Sequence, residues 1–292
     1  MILPWFSTHF EQLTGRFLAG RLHHGLLLSG PDGIGKQMLA RELAAVLLCK
    51  QPDSRGACGQ CQSCQLLRAG THADFHILES EKQLGVDAIR EGISRLSGTA
   101  QIGRNKVLLL CAADTMTESA SNALLKTLEE PTGNTFLILL TSRIARLLPT
   151  ILSRCEKHAL APPNVAESLA WLDSEGIDAD EALLNAYGNA PLRVKTALEE
   201  APAVTYRDFT DGFAALMQGS KSALSLATSW QEDALQIVTW CEQLAYKQYC
   251  QQQKSSDLAC YDACKSAVQA LNNPGVNKVL ILTSVLDAFV RH

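Results

Sequence analysis

Surplus basic charge is the first thing this sequence lacks: 26 lysines and arginines stand against 30 aspartates and glutamates, a formal net charge of −4. A chain that grips nucleic acid by itself needs a basic field, so any contact with DNA must be local or shared with partners. Long hydrophobic runs are missing too. Unbroken aliphatic stretches such as Val107 to Ala113 fall far short of the roughly 18 residues a membrane span requires. The first fifteen residues contain no Lys or Arg and hold Pro4, His9 and Glu11, unlike a secretory signal. A soluble, cytoplasmic protein is expected. There is no internal repeat, and the one low-complexity patch, Gln251-Gln252-Gln253, reads as a solvated helix end or loop. What is present, 47% hydrophobic and 19% charged residues over 292 positions, excludes disordered, collagen-like and coiled-coil chains and suits about two globular domains.

The two parts differ in pattern. From Gly25 to about Leu160, short apolar runs alternate with helical periodicity. Gly25 to Ser29, Phe75 to Leu78, Val107 to Ala113 and Phe136 to Ser142 read as strands buried on both faces. Between them, Leu39, Leu43, Val46 and Leu47 share one helix face, Val86, Ile89, Ile93 and Leu96 a second, and Ala120, Ala123, Leu124, Thr127 and Leu128 a third. Alternation of this kind predicts an α/β fold, a parallel sheet with helices on both sides. After Ala161-Pro162-Pro163 only helical spacing remains, as in Val276, Val279, Leu280, Thr283, Leu286 and Phe289, and Ala201-Pro202 suggests a hinge between a small helical unit and a larger one.

Gly30-Pro31-Asp32-Gly33-Ile34-Gly35-Lys36-Gln37 follows a strand and opens a helix, the context in which a G-x-x-x-x-G-K-[ST] pattern carries meaning. Its glycines let backbone N–H groups face phosphates, and Lys36 reaches the terminal ones. The eighth position should be a hydroxyl that holds Mg²⁺, and here it is Gln37. An acidic pair should close a later buried strand, but the run Val107 to Leu110 ends in Cys111-Ala112. Asp114 comes two or three residues too late and reads as a turn residue, and Glu118 as a helix start. Two losses in one site predict a nucleotide fold that does not hydrolyse nucleotide.

Cys49, Cys58, Cys61 and Cys64 form C-x8-C-x2-C-x2-C, and Gly56 and Gly59 permit the tight turns that aim amides at sulfur. A disulfide and a redox C-x2-C compete with metal, but four thiols at this spacing in a reducing compartment suit structural Zn²⁺ better. Cys111, Cys155, Cys241, Cys250, Cys260 and Cys264 are not clustered in this way and are assigned to core packing. His23-His24 and His72 with His76 are assigned to ordinary structure.

Asn122-Ala123-Leu124-Leu125-Lys126-Thr127-Leu128-Glu129-Glu130-Pro131, the strand that follows, and Leu148 to Cys155 resemble the AAA+ subunits of sliding-clamp loaders; the cysteine insertion looks like the zinc module of the bacterial members. The decayed phosphate loop is similar to the delta-prime branch of the bacterial DNA polymerase III clamp loader. The tau/gamma branch would carry Ser or Thr for Gln37 and Asp-Glu for Cys111-Ala112. The resemblance implies an AAA+ domain over residues 1–161, a helical lid over 162–201 and a helical collar over 202–292. It implies partnership with tau/gamma-type and delta-type subunits, with the clamp and primed DNA reached through the complex. It also implies that Arg154 of Ser153-Arg154-Cys155 acts in trans as an arginine finger on a neighbour's ATP. Thr141 and Ser142 match the polar end of the family's sensor strand, and Arg193 lies near the place of a lid arginine but is read as a surface charge. Gly30, Gly33, Gly35, Lys36 and Gln37 would form a degenerate nucleotide site, with ATP bound weakly or not at all and no intrinsic ATPase activity, inside a DNA-directed DNA polymerase holoenzyme. An ATPase motor holding Mg²⁺ through water between Gln37 and Asp114, and a zinc-dependent DNA-binding protein, are the competing readings.

Overall fold

The computed structural model describes residues 2–80, 83–200, 203–271, 273 and 275–290. The chain divides into two compact units, Met1–Pro163 and Asn164–His292. The proposed hinge at Ala201-Pro202 lies outside the described residues.

In the first unit, five parallel strands form one sheet among the described residues: β1 Gly25–Ser29, β2 Phe75–Leu78, β3 Lys106–Leu110, β4 Thr135–Thr141 and β5 Glu156–Ala159, in the order β2-β3-β4-β1-β5. The helices are α1 Ser7–Leu18, α2 Lys36–Leu48, α3 Gln62–Arg68, α4 Val86–Arg95, α5 Glu118–Glu129 and the single turn α6 Pro149–Leu152. Four strands fall where the sequence places them. β5 was not anticipated, because Glu156-Lys157-His158-Ala159 forms an edge whose residues are half-buried or exposed in alternation, without the continuous apolar run of a central strand. The β2 strand at the opposite edge is likewise only half-buried, whereas β3 is buried throughout.

Successive side chains of a strand point to opposite faces, and both faces are covered. Leu27, Leu108, Leu110, Leu137 and Leu139 pack with Ile89 of α4, Leu124 and Leu128 of α5 and Ile151 of α6. The alternate residues Leu26, Leu28, Leu109 and Ile138 are just as buried, and α2 crosses the strands with Leu39, Leu43, Val46 and Leu47 turned inward. Thr117 caps α5 by accepting the Ala120 N–H at 3.0 Å. The α1 helix, which buries Phe10, Leu13 and Thr14, had no reading from sequence.

Every described regular element of the second unit is a helix: α7 Val165–Ser174, α8 Glu181–Ala186, α9 Pro191–Glu199, α10 Tyr206–Met217, α11 Ala223–Trp230, α12 Ala234–Gln252, α13 Ser255–Leu271 and α14 Lys278–Val290. Asn164 opens α7 and Thr205 opens α10 with reciprocal capping boxes to Glu167 and Asp208. The core is built on aromatic rings, Phe209 lying 5.1 Å from Trp240 and 5.7 Å from Trp230 between centroids. Cys241, Cys260 and Cys264 are buried in it as expected, but Cys250 is exposed. The α12 helix ends at Gln252, and exposed Gln253 follows at φ 52°, a solvated helix end. On α14 the buried stripe is Leu282, Val285, Leu286 and Phe289, while Leu280 is 68% exposed. That helix is apolar almost all round, so periodicity admits two stripes and packing chooses between them. No helix among the described residues is long and apolar enough to cross a membrane.

Candidate functional site

The phosphate loop sits between β1 and α2, with Gly33 at φ 78° and Gly35 at φ 93°, conformations that favour glycine. Gly30 is required for another reason: a Cβ there would lie 2.4 Å from the Leu160 carbonyl oxygen. Buried Lys36 turns its ammonium back on the loop, donating to the carbonyls of Gly30 at 2.8 Å and Pro31 at 2.7 Å, and to Asp32 Oδ1 at 3.3 Å. Gln37 donates from Nε2 to Cys111 Sγ at 3.4 Å, and Glu79 Oε2 lies 3.5 Å away. Cys111 thus occupies the end of β3, its thiol pushed up to about 11, chiefly by burial; a neutral thiol is no substitute for a metal-binding carboxylate.

Asp114 lies in a 3-10 turn after β3, with its side chain only 3% exposed. Both carboxylate oxygens are engaged. Oδ1 accepts from Thr141 Oγ1 at 3.0 Å and from the Ser142 N–H at 3.4 Å, and Oδ2 accepts from Arg143 Nε at 3.0 Å. Thr141, Ser142 and Arg143 at the end of β4 and the buried Asp114 carboxylate therefore form one network that ties β4 to the segment after β3. Glu118 is the first residue of α5. Exposed Arg193 occupies the first turn of α9.

The four cysteines converge. Cys49 closes α2, Cys58 follows the turn at Gly56 (φ 126°), Cys61 caps α3 and Cys64 lies within it. Their sulfurs all lie within 4.8 Å of one another, with Cys49–Cys61 at 3.9 Å, Cys58–Cys64 at 4.0 Å and Cys61–Cys64 at 3.5 Å. Sulfurs placed about 2.3 Å from a tetrahedral metal would be separated by about 3.8 Å, so the donor set fits a metal ion, and all four are free thiols. Amides point at sulfur as well: Gln51 and Cys58 donate to Cys49 Sγ at 3.4 and 3.3 Å, and Cys61 to Cys58 Sγ at 3.4 Å. Burial opposes ionisation of Cys61, but the hydrogen bonds from Lys50, Cys64 and the neighbouring thiols together outweigh it and bring that thiol down to about 6; Cys64, disfavoured mainly by burial, is pushed up to about 12. The module is braced from behind, where Ser63 Oγ donates to the Leu48 carbonyl at 2.7 Å and lies 2.7 Å from His72 Nε2. His72 serves structure, as expected.

Arg154 follows α6 and is about one-third exposed. Its Nε donates to Glu129 Oε1 at 2.6 Å, and its Nη1 to the Thr150 carbonyl at 3.0 Å and to Ser153 Oγ at 3.3 Å. Nη2 completes the ion pair with Glu129. Glu156, two residues from Arg154 in sequence, is paired instead with Arg16. Glu129 was legible only as part of the Leu128-Glu129-Glu130-Pro131 motif, since a contact across 25 residues leaves no periodic signal.

Residues 7–164 match the protein family described as "DNA polymerase III, delta subunit". Curated relatives named DNA polymerase III subunit delta' include that of Pseudomonas aeruginosa, 41% identical over 81% of this chain and 74% of that protein. That of Escherichia coli is 44% identical over 63% and 56%, and that of Yersinia pestis 32% identical over 99% and 88%. Among solved structures, a gamma subunit-related protein from Thermotoga maritima shares the fold, with a TM-score of 0.51 at 17% identity over 98% of both chains. With the parallel sheet, the glycine loop and the four-cysteine module in place, the match over more than half its length makes this chain a member of the DNA polymerase III delta' family of clamp-loader subunits.

Proposed function

We propose that this chain is a non-hydrolysing subunit of the clamp-loader complex, helping to load a sliding clamp onto primed DNA and lending Arg154 to the ATP of a neighbouring subunit. One contrast within the first unit carries the reading. At the phosphate loop the groups that would hold Mg²⁺ are missing or engaged, since Gln37 faces the Cys111 thiol and both oxygens of Asp114 are occupied, while the phosphate-binding Lys36 bonds its own loop. At Arg154 a part-exposed guanidinium, the side chain best suited to charge spread over a transferring phosphoryl group, is held near the surface by Glu129, the Thr150 carbonyl and Ser153 Oγ.

Residues 162–201 would serve as the lid and 202–292 as the collar that joins tau/gamma-type and delta-type subunits, consistent with exposed Met217, Leu224 and Leu280 in the second unit. Cys49, Cys58, Cys61 and Cys64 would hold one structural Zn²⁺, closed to substrate because all four positions are thiolates. Gly30, Gly33, Gly35, Lys36 and Gln37 retain the shape of a nucleotide site without its metal ligands.

The test is reconstitution. The purified chain should co-elute with a tau/gamma-type and a delta-type subunit, and alone should turn over no ATP above background with Mg²⁺. Measurable turnover by the isolated chain, abolished by Lys36→Ala, would overturn the non-hydrolysing assignment.

A further inference from the structure

Arg154 stands on the short connection between α6 and β5, and a residue from another element orients it. Glu129 is the last residue of α5. Helix C-termini favour cations, so a carboxylate there gains nothing from its own helix. It gains the guanidinium instead: a single oxygen, Oε1, accepts from Arg154 Nε at 2.6 Å and pairs with Nη2. The backbone beneath that carboxylate is anchored. Leu128 is 1% exposed in the core it shares with Ile151 of α6, and its carbonyl oxygen lies 2.7 Å from His24 Nε2.

The shape of the fork decides what the contact does. A guanidinium presents a side edge, Nε with one Nη, and an end edge made of both Nη groups. Glu129 takes the side edge. On the end edge, Nη1 donates to the Thr150 carbonyl at 3.0 Å and, in the longest contact of the set, to Ser153 Oγ at 3.3 Å, while one Nη2 N–H has no acceptor among the described residues. A phosphoryl oxygen can therefore be met at the end edge while Glu129 keeps the side edge, so the carboxylate orients the fork without competing for the ligand. Arginine is among the side chains with most rotamer freedom to lose, and a misplacement of about 1 Å can cost about a hundredfold in rate.

We propose that Glu129 is the positioning residue of Arg154, a hydrogen-bond acceptor that holds the side edge of the guanidinium and leaves its end edge open to a phosphate of the neighbouring subunit, an assignment that rests on the trans-acting role of Arg154 given above. The experiment is single-turnover ATP hydrolysis at saturating ATP by the reconstituted complex, with substitutions in this chain alone. Glu129→Ala should slow the neighbouring site about tenfold rather than a hundredfold, because the Thr150 and Ser153 contacts remain, and should leave that site's affinity for ATP unchanged. Glu129→Gln, which keeps an acceptor oxygen at the same reach, should restore the rate. Glu129→Asp, which keeps the charge but is one methylene shorter, should not. With Arg154→Ala in place, Glu129→Ala should cost nothing further, whereas a merely structural role would add its own loss. Should Glu129→Ala fail to assemble, the contrast between Gln and Asp decides. Unmodified or faster hydrolysis by Glu129→Ala, rescue by Asp in place of Gln, or a further loss in the double variant would overturn the assignment. If Arg154→Ala alone leaves hydrolysis unchanged, the finger role fails first and the assignment falls with it.

Discussion

Replacing Arg154 by alanine separates a trans-acting role from a structural one, because the two predict losses of different size in different assays. Within the chain, the guanidinium bonds Glu129, the Thr150 carbonyl and Ser153 Oγ. The Arg154 and Glu129 side chains keep 33% and 47% of their exposure, so solvent screens the pair and it contributes about 0.2–1 kcal/mol. Glu129 ends α5, where a carboxylate opposes the helix dipole by about 0.3–1 kcal/mol once its cation is gone. Arg154→Ala should therefore cost the isolated chain no more than about 2 kcal/mol in urea denaturation. An arginine finger contributes about 10³ to 10⁵ in rate, or about 4–7 kcal/mol of barrier. That loss should appear in single-turnover ATP hydrolysis by the neighbouring subunit, measured on the assembled complex; in steady state, other interfaces dilute it. Arg154→Lys should restore little, since a point charge does not reproduce the planar fork. Glu129→Gln keeps an acceptor for Nε and should hydrolyse near the unmodified rate. If the Arg154→Ala complex assembles and every site hydrolyses at the unmodified rate, Arg154 is structural and the reasoning fails.

Zinc analysis should find one ion per chain, released by mercurial titration of the thiols; Cys61→Ser should disorder the segment from Cys49 to Arg68 while far-UV circular dichroism of the rest persists, and a Cys58–Cys64 disulfide without metal would contradict this. Glu156 is held below its ordinary value chiefly by its hydrogen bond from Arg16. Its folded-state pKa is depressed, so the contribution is complete above the unfolded value near 4.5 and is lost as pH falls through the folded one. Arg16→Leu should thus lower stability by up to about 1 kcal/mol at pH 7, with the gap to the unmodified protein closing in acid; a gap that persists at pH 2 would refute the linkage. Gly30→Ala should destabilise by about 1–3 kcal/mol, because its Cβ meets the Leu160 carbonyl at 2.4 Å and Ile34 at 3.0 Å. Gly15→Ala, in α1 with nothing within 4 Å, should stabilise by about 0.5–1 kcal/mol, and thermal melts of the pair test both signs.

Burial leaves a local trace in sequence and partnership does not. The four apolar strands, the glycine loop ending in Lys36, the helical faces through Leu39, Ile89 and Leu124, and the clustered cysteines were legible because each is set by neighbours a few residues away, through backbone period, glycine geometry or ligand spacing. Absence was legible as well, since Gln37 and Cys111-Ala112 stand where Mg²⁺ chemistry needs a hydroxyl and an acidic pair. Only the tertiary structure could add β5, whose polar residues become a strand by pairing with β1. It alone fixed the order β2-β3-β4-β1-β5 and chose Leu282 over Leu280 as the buried stripe of α14. It closed Asp114 on Thr141 and Arg143, and gave Arg154 to Glu129 and Glu156 to Arg16. These partners lie 25 to 140 residues apart, and a charged side chain carries no mark of which distant carboxylate the folded backbone will bring within reach.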